Sequence, residues 1–309
     1  MVQRSGINVS GKKVLVLGSG GASNTAVKVL EDLGANVIII SRSGNNNYTN
    51  LYLHRDASVI VNCTPVGMYP NTGVAPLDLK AFPSLEGVLD MIYNPSRTKL
   101  LLDAEALGLP HENGLWMLVA QAKEAAEYFG KKQLPDSIIE NVYRRMSTKM
   151  QNIVLIGMPG CGKSTIASML AEKLGRKAVD ADKEIEKLAG KTIPEIFADD
   201  GETVFRDLET QVLSELGKQS QLIIATGGGC VTQERNYPLL HQNSIIFWLQ
   251  RDLTLLPTDG RPLSQSTKLK DMYQVRQPLY TTFADYQICN NASPEDTVKQ
   301  ILAIWEGDK

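Results

Sequence analysis

The run Gly157-Met-Pro-Gly-Cys-Gly-Lys163-Ser164-Thr165 has the spacing G-x-x-x-x-G-K-[ST]. Gly160, Cys161 and Gly162 let the backbone curl until several N–H groups face one anion, and Thr165 continues that cradle into a helix. Lys163 then reaches the β- and γ-phosphates of a nucleotide, and the Ser164 hydroxyl ligates a magnesium ion. Cys161 reads as a small loop residue, although a place before a helix can also lower a thiol's pKa and leave it oxidisable. Downstream, Val179-Asp180-Ala-Asp182 ends an apolar stretch. Alternate carboxylates there project at the carboxyl edge of a sheet, one supporting magnesium through water and the other meeting an acceptor hydroxyl. Two acids in a turn also serve as a helix cap. Three arginines follow in separate settings. Arg206 lies on a helix whose Val204, Phe205, Leu208, Val212 and Leu216 mark the buried side. Arg261 lies in the lid-like loop Thr258-Asp-Gly-Arg-Pro-Leu263, and Arg276 begins Arg-Gln-Pro-Leu-Tyr280. Thr226-Gly227-Gly228-Gly229 after an apolar run supplies further backbone donors.

A second glycine turn opens the chain: Lys13-Val-Leu-Val-Leu17 precedes Gly18-Ser-Gly20-Gly21-Ala22, and Thr25–Leu33 has a helical pattern. That order fits a dinucleotide turn, although glycines alone are a weak sign. Arg42 follows the next apolar run, where a basic residue suits the 2′-phosphate of NADP.

These residues need strands and helices to hold them. Val37–Ile40, Ser58–Val61 and Gly87–Asp90 read as buried strands of the first half, with Leu222–Ala225 and Ser244–Leu249 in the second. Strands alternating with helices predict an α/β fold with parallel sheets: a Rossmann-like dinucleotide-binding domain over 1–147 and a P-loop kinase domain with a lid over 148–309. Helices are expected over 114–122 and 134–146, then a short polar connector over 147–151. The last helix starts at its cap Ser293, with Pro294 in the first turn.

The chain has 309 residues, 43% of them hydrophobic and 21% charged, so a sizeable core is available. A net charge of −2 gives no electrostatic case for nucleic acid or an anionic membrane as partner. No apolar run approaches the roughly 20 residues that span a bilayer, and no secretion signal stands at the start. Cys63, Cys161, Cys230 and Cys289 lie far apart, which argues against structural zinc or a disulfide framework and suits a cytoplasmic protein. His54, His111 and His241 read as surface or loop residues.

In order and spacing, Gly-Cys-Gly-Lys-Ser-Thr, Asp-Ala-Asp, Phe205-Arg206, the three glycines, Gly-Arg-Pro-Leu and Arg-Gln-Pro-Leu-Tyr resemble the shikimate kinases over residues 150–309. The resemblance implies ATP-dependent phosphorylation of the shikimate 3-hydroxyl, with Asp182 as base or orienter and Asp180 supporting Mg²⁺. Arg206 and Arg276 would clamp the shikimate carboxylate, Gly227, Gly228 and Gly229 would close over the ring, and Arg261 would swing in with the lid. Many members carry a further arginine shortly before the lid. Here that stretch is Leu253-Thr-Leu-Leu-Pro257, which leaves the adenine contacts open.

In the first half, Val61-Asn-Cys-Thr-Pro-Val-Gly-Met68, Asp90-Met-Ile-Tyr-Asn-Pro95 and Gly114-Leu-Trp-Met-Leu-Val-Ala-Gln121 resemble the cofactor-binding part of shikimate dehydrogenase. By that resemblance Gly18, Gly20, Gly21, Ala22, Arg42, Asn62 and Thr64 would face NADP. Gly114 and Met117 would lie near the nicotinamide, with Tyr93 and Gln121 toward shikimate. The family's preceding substrate domain, which carries a catalytic lysine and aspartate, maps onto nothing here. The short segment between Arg42 and Asn62 also suggests a trimmed helix–strand piece. Three readings of this half stay open: a domain without reductase activity of its own, a reductase completed by a separate substrate-domain polypeptide, and an NADP-sensing or docking module. For the second half the remaining rival is a P-loop kinase for another small molecule.

Overall fold

Parallel strands covered on both faces read as unbroken apolar runs rather than alternating ones, and such runs form the inner strands of both sheets. The computed structural model describes residues 1–256 and 266–307. It divides into two units, Met1–Ser147 and Thr148–Lys309. In the first, α1 (Val2–Ser5), β1 (Lys13–Leu17), α2 (Gly21–Asp32), β2 (Asn36–Ile40) and β3 (Val59–Asn62) are followed by β4 (Gly87–Asp90), α3 (Lys99–Ala106), β5 (His111–Glu112), α4 (Leu115–Gly130) and α5 (Ser137–Met150). Its sheet has the order β2-β1-β3-β4-β5, and every pairing is parallel. Only a 3₁₀ turn, Leu51–His54, stands between β2 and β3, so the crossover there is shorter than a helix–strand unit.

The second unit begins with β6 (Asn152–Ile156), α6 (Lys163–Leu174), β7 (Lys177–Asp180), α7 (Ala181–Ala189), α8 (Ile193–Asp199) and α9 (Gly201–Lys218). It continues with β8 (Leu222–Ala225), α10 (Asn236–His241), β9 (Ser244–Gln250), α11 (Ser266–Phe283), β10 (Tyr286–Cys289) and α12 (Pro294–Glu306). This sheet is also all parallel, in the order β10-β9-β6-β8-β7. Every residue of β6 and β8 is buried, which places the strand under the P-loop in the middle of the core. Ser293 caps α12, its Oγ accepting the Asp296 N–H at 3.2 Å. Among the described residues no helix is long and apolar enough to cross a membrane.

Four local expectations need correction. The polar connector over 147–151 is mostly helix, because α5 runs to Met150; of its residues only Ile139 is buried. Val204 is exposed while Arg206, Glu209 and Leu213 are buried, so the inward face of α9 is turned from the one the apolar residues alone suggest. His54 and His241 are buried rather than superficial, at 8% and 2% exposure. The flat rings find partners inside: His54 Nε2 lies 3.1 Å from Asn46 Oδ1, and His241 stacks on Tyr237 with ring centroids 4.7 Å apart. Finally, Asp182 stands in the first turn of α7 instead of on the strand, because the strand stops at Asp180.

Candidate active site

The loop between β6 and α6 works as an anion cradle because of where its glycines fall. Gly162 is the N-cap of α6 with φ +94°, a left-handed backbone that glycine adopts without strain. The first N–H groups of α6 are then left to face a ligand, with the positive end of the helix dipole behind them. Lys163 is buried, and its Nζ donates to the carbonyls of Gly157 at 2.9 Å and Met158 at 3.1 Å. The ammonium is thereby held by the loop it serves. Cys161 is fully buried beneath it, with Sγ 4.0 Å from Nζ, so no oxidant in solution meets this thiol in the folded state.

A cavity of about 550 Å³ opens above the loop, and Gly160, Lys163, Ser164, Asp180, Asp182 and Gly228 stand in its wall. Gly162 and Thr165 line it as well. Asp180 performs two tasks. Its Oδ1 accepts the Asp182 N–H at 3.1 Å, capping α7, while its Oδ2 accepts the Ser164 hydroxyl at 2.6 Å. The helix cap and the partner of the P-loop serine are thus one residue. Asp182 is different: its Oδ1 is buried without a hydrogen-bond partner. Burial is the main influence on this carboxyl and pushes its pKa up, partly offset by Lys163. A carboxylate kept from water beside a phosphate cradle is suited to take a proton.

The glycine loop after β8 lets these groups approach one another. A Cβ at Gly227 would lie 2.6 Å from Asp182 Oδ1, and one at Gly229 would lie 2.6 Å from Arg206 Nη1. Any side chain there would displace a functional group. Arg206 is pinned by two carboxylates of its own helix, Glu209 at 2.9 Å and Glu202 at 3.1 Å. Among the described residues three of its five N–H donors are engaged in these contacts, which leaves two for an anion. Arg276 reaches the same loop from α11, donating to the Gly228 carbonyl at 3.1 Å beside the Tyr280 hydroxyl. Among the described residues neither arginine lines the cavity itself; Arg276 bonds the glycine loop at its rim, and Arg206 packs against Gly229. Arg261 and the lid segment Thr258–Leu263 lie outside the described residues.

Glu209 is the residue that the sequence reading overlooks. It is 1% exposed, and desolvation raises its pKa against the pull of Arg206. The signal was present as an acid three residues after an arginine on a buried helical face. An acid amid apolar positions is easily dismissed as a break in the pattern.

In the first unit the sites separate. Gly18, Gly20, Gly21 and Ala22 form the turn from β1 into α2, and Arg42 is exposed just after β2. Thr64 and Tyr93 share a cavity of about 370 Å³ with Cys63, Met68 and Asn94. Met117 lines a different, apolar cavity with Val29, Val61 and Leu89. Gln121 is exposed on α4, and Gly114 is that helix's N-cap, packed so tightly that a Cβ would fall 2.0 Å from the Met91 carbonyl oxygen. The carboxyl edge is ordered by Asp90, which is fully buried. Asp90 accepts from Asn62 Nδ2 at 3.0 Å, the Ile92 N–H at 3.0 Å and the Thr98 hydroxyl at 2.6 Å. Asn62 Oδ1 in turn accepts from the Thr64 N–H and hydroxyl.

Burial raises the Asp90 carboxyl to about 6 despite those three donors. Relative to the ordinary 3.8, this gap corresponds to about 3 kcal/mol. The folded state binds the proton more tightly, so stability is fully present below pH about 4 and is lost as pH rises through about 6. Hydrogen exchange of the β3 and β4 amides in the full chain, corrected for intrinsic rates, should show more protection at pH 4.5 than at pH 7. Asp90→Asn should flatten that dependence; an unchanged slope would show that another group carries it.

Comparison with known proteins places the likeness to shikimate kinases in the second half of the chain. A family model described as Shikimate kinase matches residues 159–306. The shikimate kinase of Acinetobacter baumannii (strain AYE) is 42% identical over 170 residues, covering 52% of this chain and 94% of that protein. The solved shikimate kinase from Acinetobacter baumannii in complex with shikimate is 39% identical with a TM-score of 0.50, covering 54% of this chain and 98% of that one. Shikimate dehydrogenase 1 from Peptoclostridium difficile is 32% identical with a TM-score of 0.44, covering 47% of this chain and 57% of that one.

Proposed function

The chain belongs to the shikimate kinase family, and from that premise we propose that its second domain uses ATP to phosphorylate the 3-hydroxyl of shikimate. The products are shikimate 3-phosphate and ADP, in aromatic amino acid biosynthesis. The observation that carries this reading is the unpartnered Asp182 Oδ1 in the wall of the cavity that also holds Lys163. The acceptor hydroxyl gives its proton to Asp182 as its oxygen bonds to the γ-phosphorus and the bridging oxygen departs with ADP. Lys163 and the α6 amides offset the charge that spreads over the phosphoryl oxygens. The free donors of Arg206, with Arg276, suit a carboxylate held by a planar fork.

Magnesium fits the donor set, since the Ser164 hydroxyl and the Asp180 carboxylate already meet at 2.6 Å. Ser164 would hold the ion directly and Asp180 through water. The bound ion would neutralise part of the triphosphate charge. Turnover of a panel containing shikimate, quinate, gluconate and nucleoside monophosphates tests the reading. Shikimate should exceed every other acceptor in kcat/KM by at least about 10²-fold; comparable turnover of another acceptor would overturn it.

For the first domain we propose NADP binding at the turn after β1, without reduction of dehydroshikimate by this chain alone. Support comes from Gly20 and Gly21, where a Cβ would meet nothing within 4 Å, and from Arg42 exposed after β2. Bound NADP would supply hydride chemistry; Asn62 and Thr64 would orient it. Mixing the chain with NADPH and dehydroshikimate should leave nicotinamide absorbance steady. Recovery on adding a separate substrate domain would identify a split reductase, whereas an NADP-dependent kinase rate would identify a sensing module.

A further inference from the structure

The P-loop stands over β6, the middle strand, and the groups that handle the transferred phosphoryl lie to one side of it. Asp180 ends β7, Asp182 follows it, and Gly228 follows β8. A triphosphate whose γ end meets Lys163 and Asp182 must send its remaining phosphates and nucleoside toward the other side, above β9 and β10. Two polar residues open that edge. Arg251 is the first residue after β9 and Asn290 the first after β10. A Cβ on Gly162, the α6 N-cap, would lie 3.6 Å from Asn290 Nδ2 and 3.8 Å from Arg251 Nη1, so both side chains reach the last glycine of the loop.

Their situations differ. Asn290 is fully employed in shaping the loop: Nδ2 donates to the Cys161 carbonyl, and Oδ1 accepts from the Thr297 hydroxyl at 2.6 Å. Arg251 Nε is buried with no hydrogen-bond partner, and among the described residues the guanidinium has no carboxylate within ion-pair distance. Arg206 and Arg276, by contrast, are both tied to neighbours. A guanidinium is always charged, and leaving one of its donors buried and unmet is costly unless an acceptor arrives. We infer that Arg251 is a nucleotide-binding residue, its guanidinium meeting a non-transferred phosphate on the β9 side of the loop. This rests on the reading of the second domain as an ATP-dependent kinase.

Calorimetric titration of the full chain with MgADP separates the outcomes. Arg251→Ala should weaken MgADP binding by about 10- to 100-fold and leave shikimate binding, measured without nucleotide, unchanged. Arg251→Lys should fall between, keeping the charge but losing the fork. Unchanged MgADP affinity in Arg251→Ala, or an equal loss of shikimate affinity, would overturn the assignment. If the wild type binds MgADP yet does not phosphorylate shikimate, the substrate reading fails while the same titration still decides the role of Arg251. A wild type that binds no MgADP overturns both.

Discussion

Asp182→Asn is expected to lower kcat for shikimate phosphorylation by about 10²- to 10⁴-fold, the range for losing a positioned general base. The substitution keeps shape and polarity but removes the proton acceptor. Folding should survive, because the cap of α7 is Asp180, not Asp182. Gly227 packs against the carboxylate, where a Cβ would stand 2.6 Å from Oδ1, and an amide of the same size fits that space. Burial raises the Asp182 pKa, so the acid limb of the wild-type kcat profile should lie above the ordinary aspartate range. Below that limb the carboxyl is already protonated and cannot accept. Stopped-time assays across pH, with a thermal melt of each variant, test both parts. A variant that folds and turns over within about tenfold of wild type would remove Asp182 from its role.

The legible parts of this architecture are those in which one residue type has one physical use. The apolar runs at Ile153–Ile156 and Leu222–Ala225 can only be buried strands at that length, and they are. The spacing of Gly157, Gly162 and Lys163 reads directly because a backbone anion cradle tolerates few alternatives. Residues with several uses are harder. Asp180 reads equally as a cap or as a metal-side ligand, and its two oxygens are used separately, one for Asp182 N–H and one for Ser164. Glu209 looks like a break in an apolar pattern until the fold buries it beside Arg206 of its own helix, and the partners of Asp90, Asn62 among them, come from distant segments. Arg251 gives no sign in one dimension, because its proximity to Gly162 arises from β9 lying beside β6. The end of α5 fails for a different reason: Ser147-Thr-Lys carries no helix signal in sequence, and its last turn is held by distant donors, Arg176 on the Thr148 carbonyl and Asn243 on that of Met150.

Lys163→Met should reduce kcat/KM by about 10²- to 10³-fold, as expected when one preorganised charge facing the transferred group is lost. What matters is where the ammonium is held. Nζ donates to the Gly157 and Met158 carbonyls at 2.9 and 3.1 Å, so it stands at the mouth of the loop before any phosphate arrives. Little reorganisation is then needed when charge spreads over the phosphoryl oxygens, and that readiness is what methionine cannot reproduce. Methionine fills similar space but leaves both carbonyls without this donor, so a modest fall in melting temperature should accompany the kinetic loss. Lys163→Arg is the sharper control. It keeps the charge, yet the planar fork must fit where Nζ lies 4.0 Å from the buried Cys161 Sγ, and turnover should stay low. Rescue by arginine would mean that bulk charge near the loop suffices and the site's geometry does not matter. Persistent loss in both variants, with no more than that modest fall in melting temperature, would place the effect in the position of a single ammonium group.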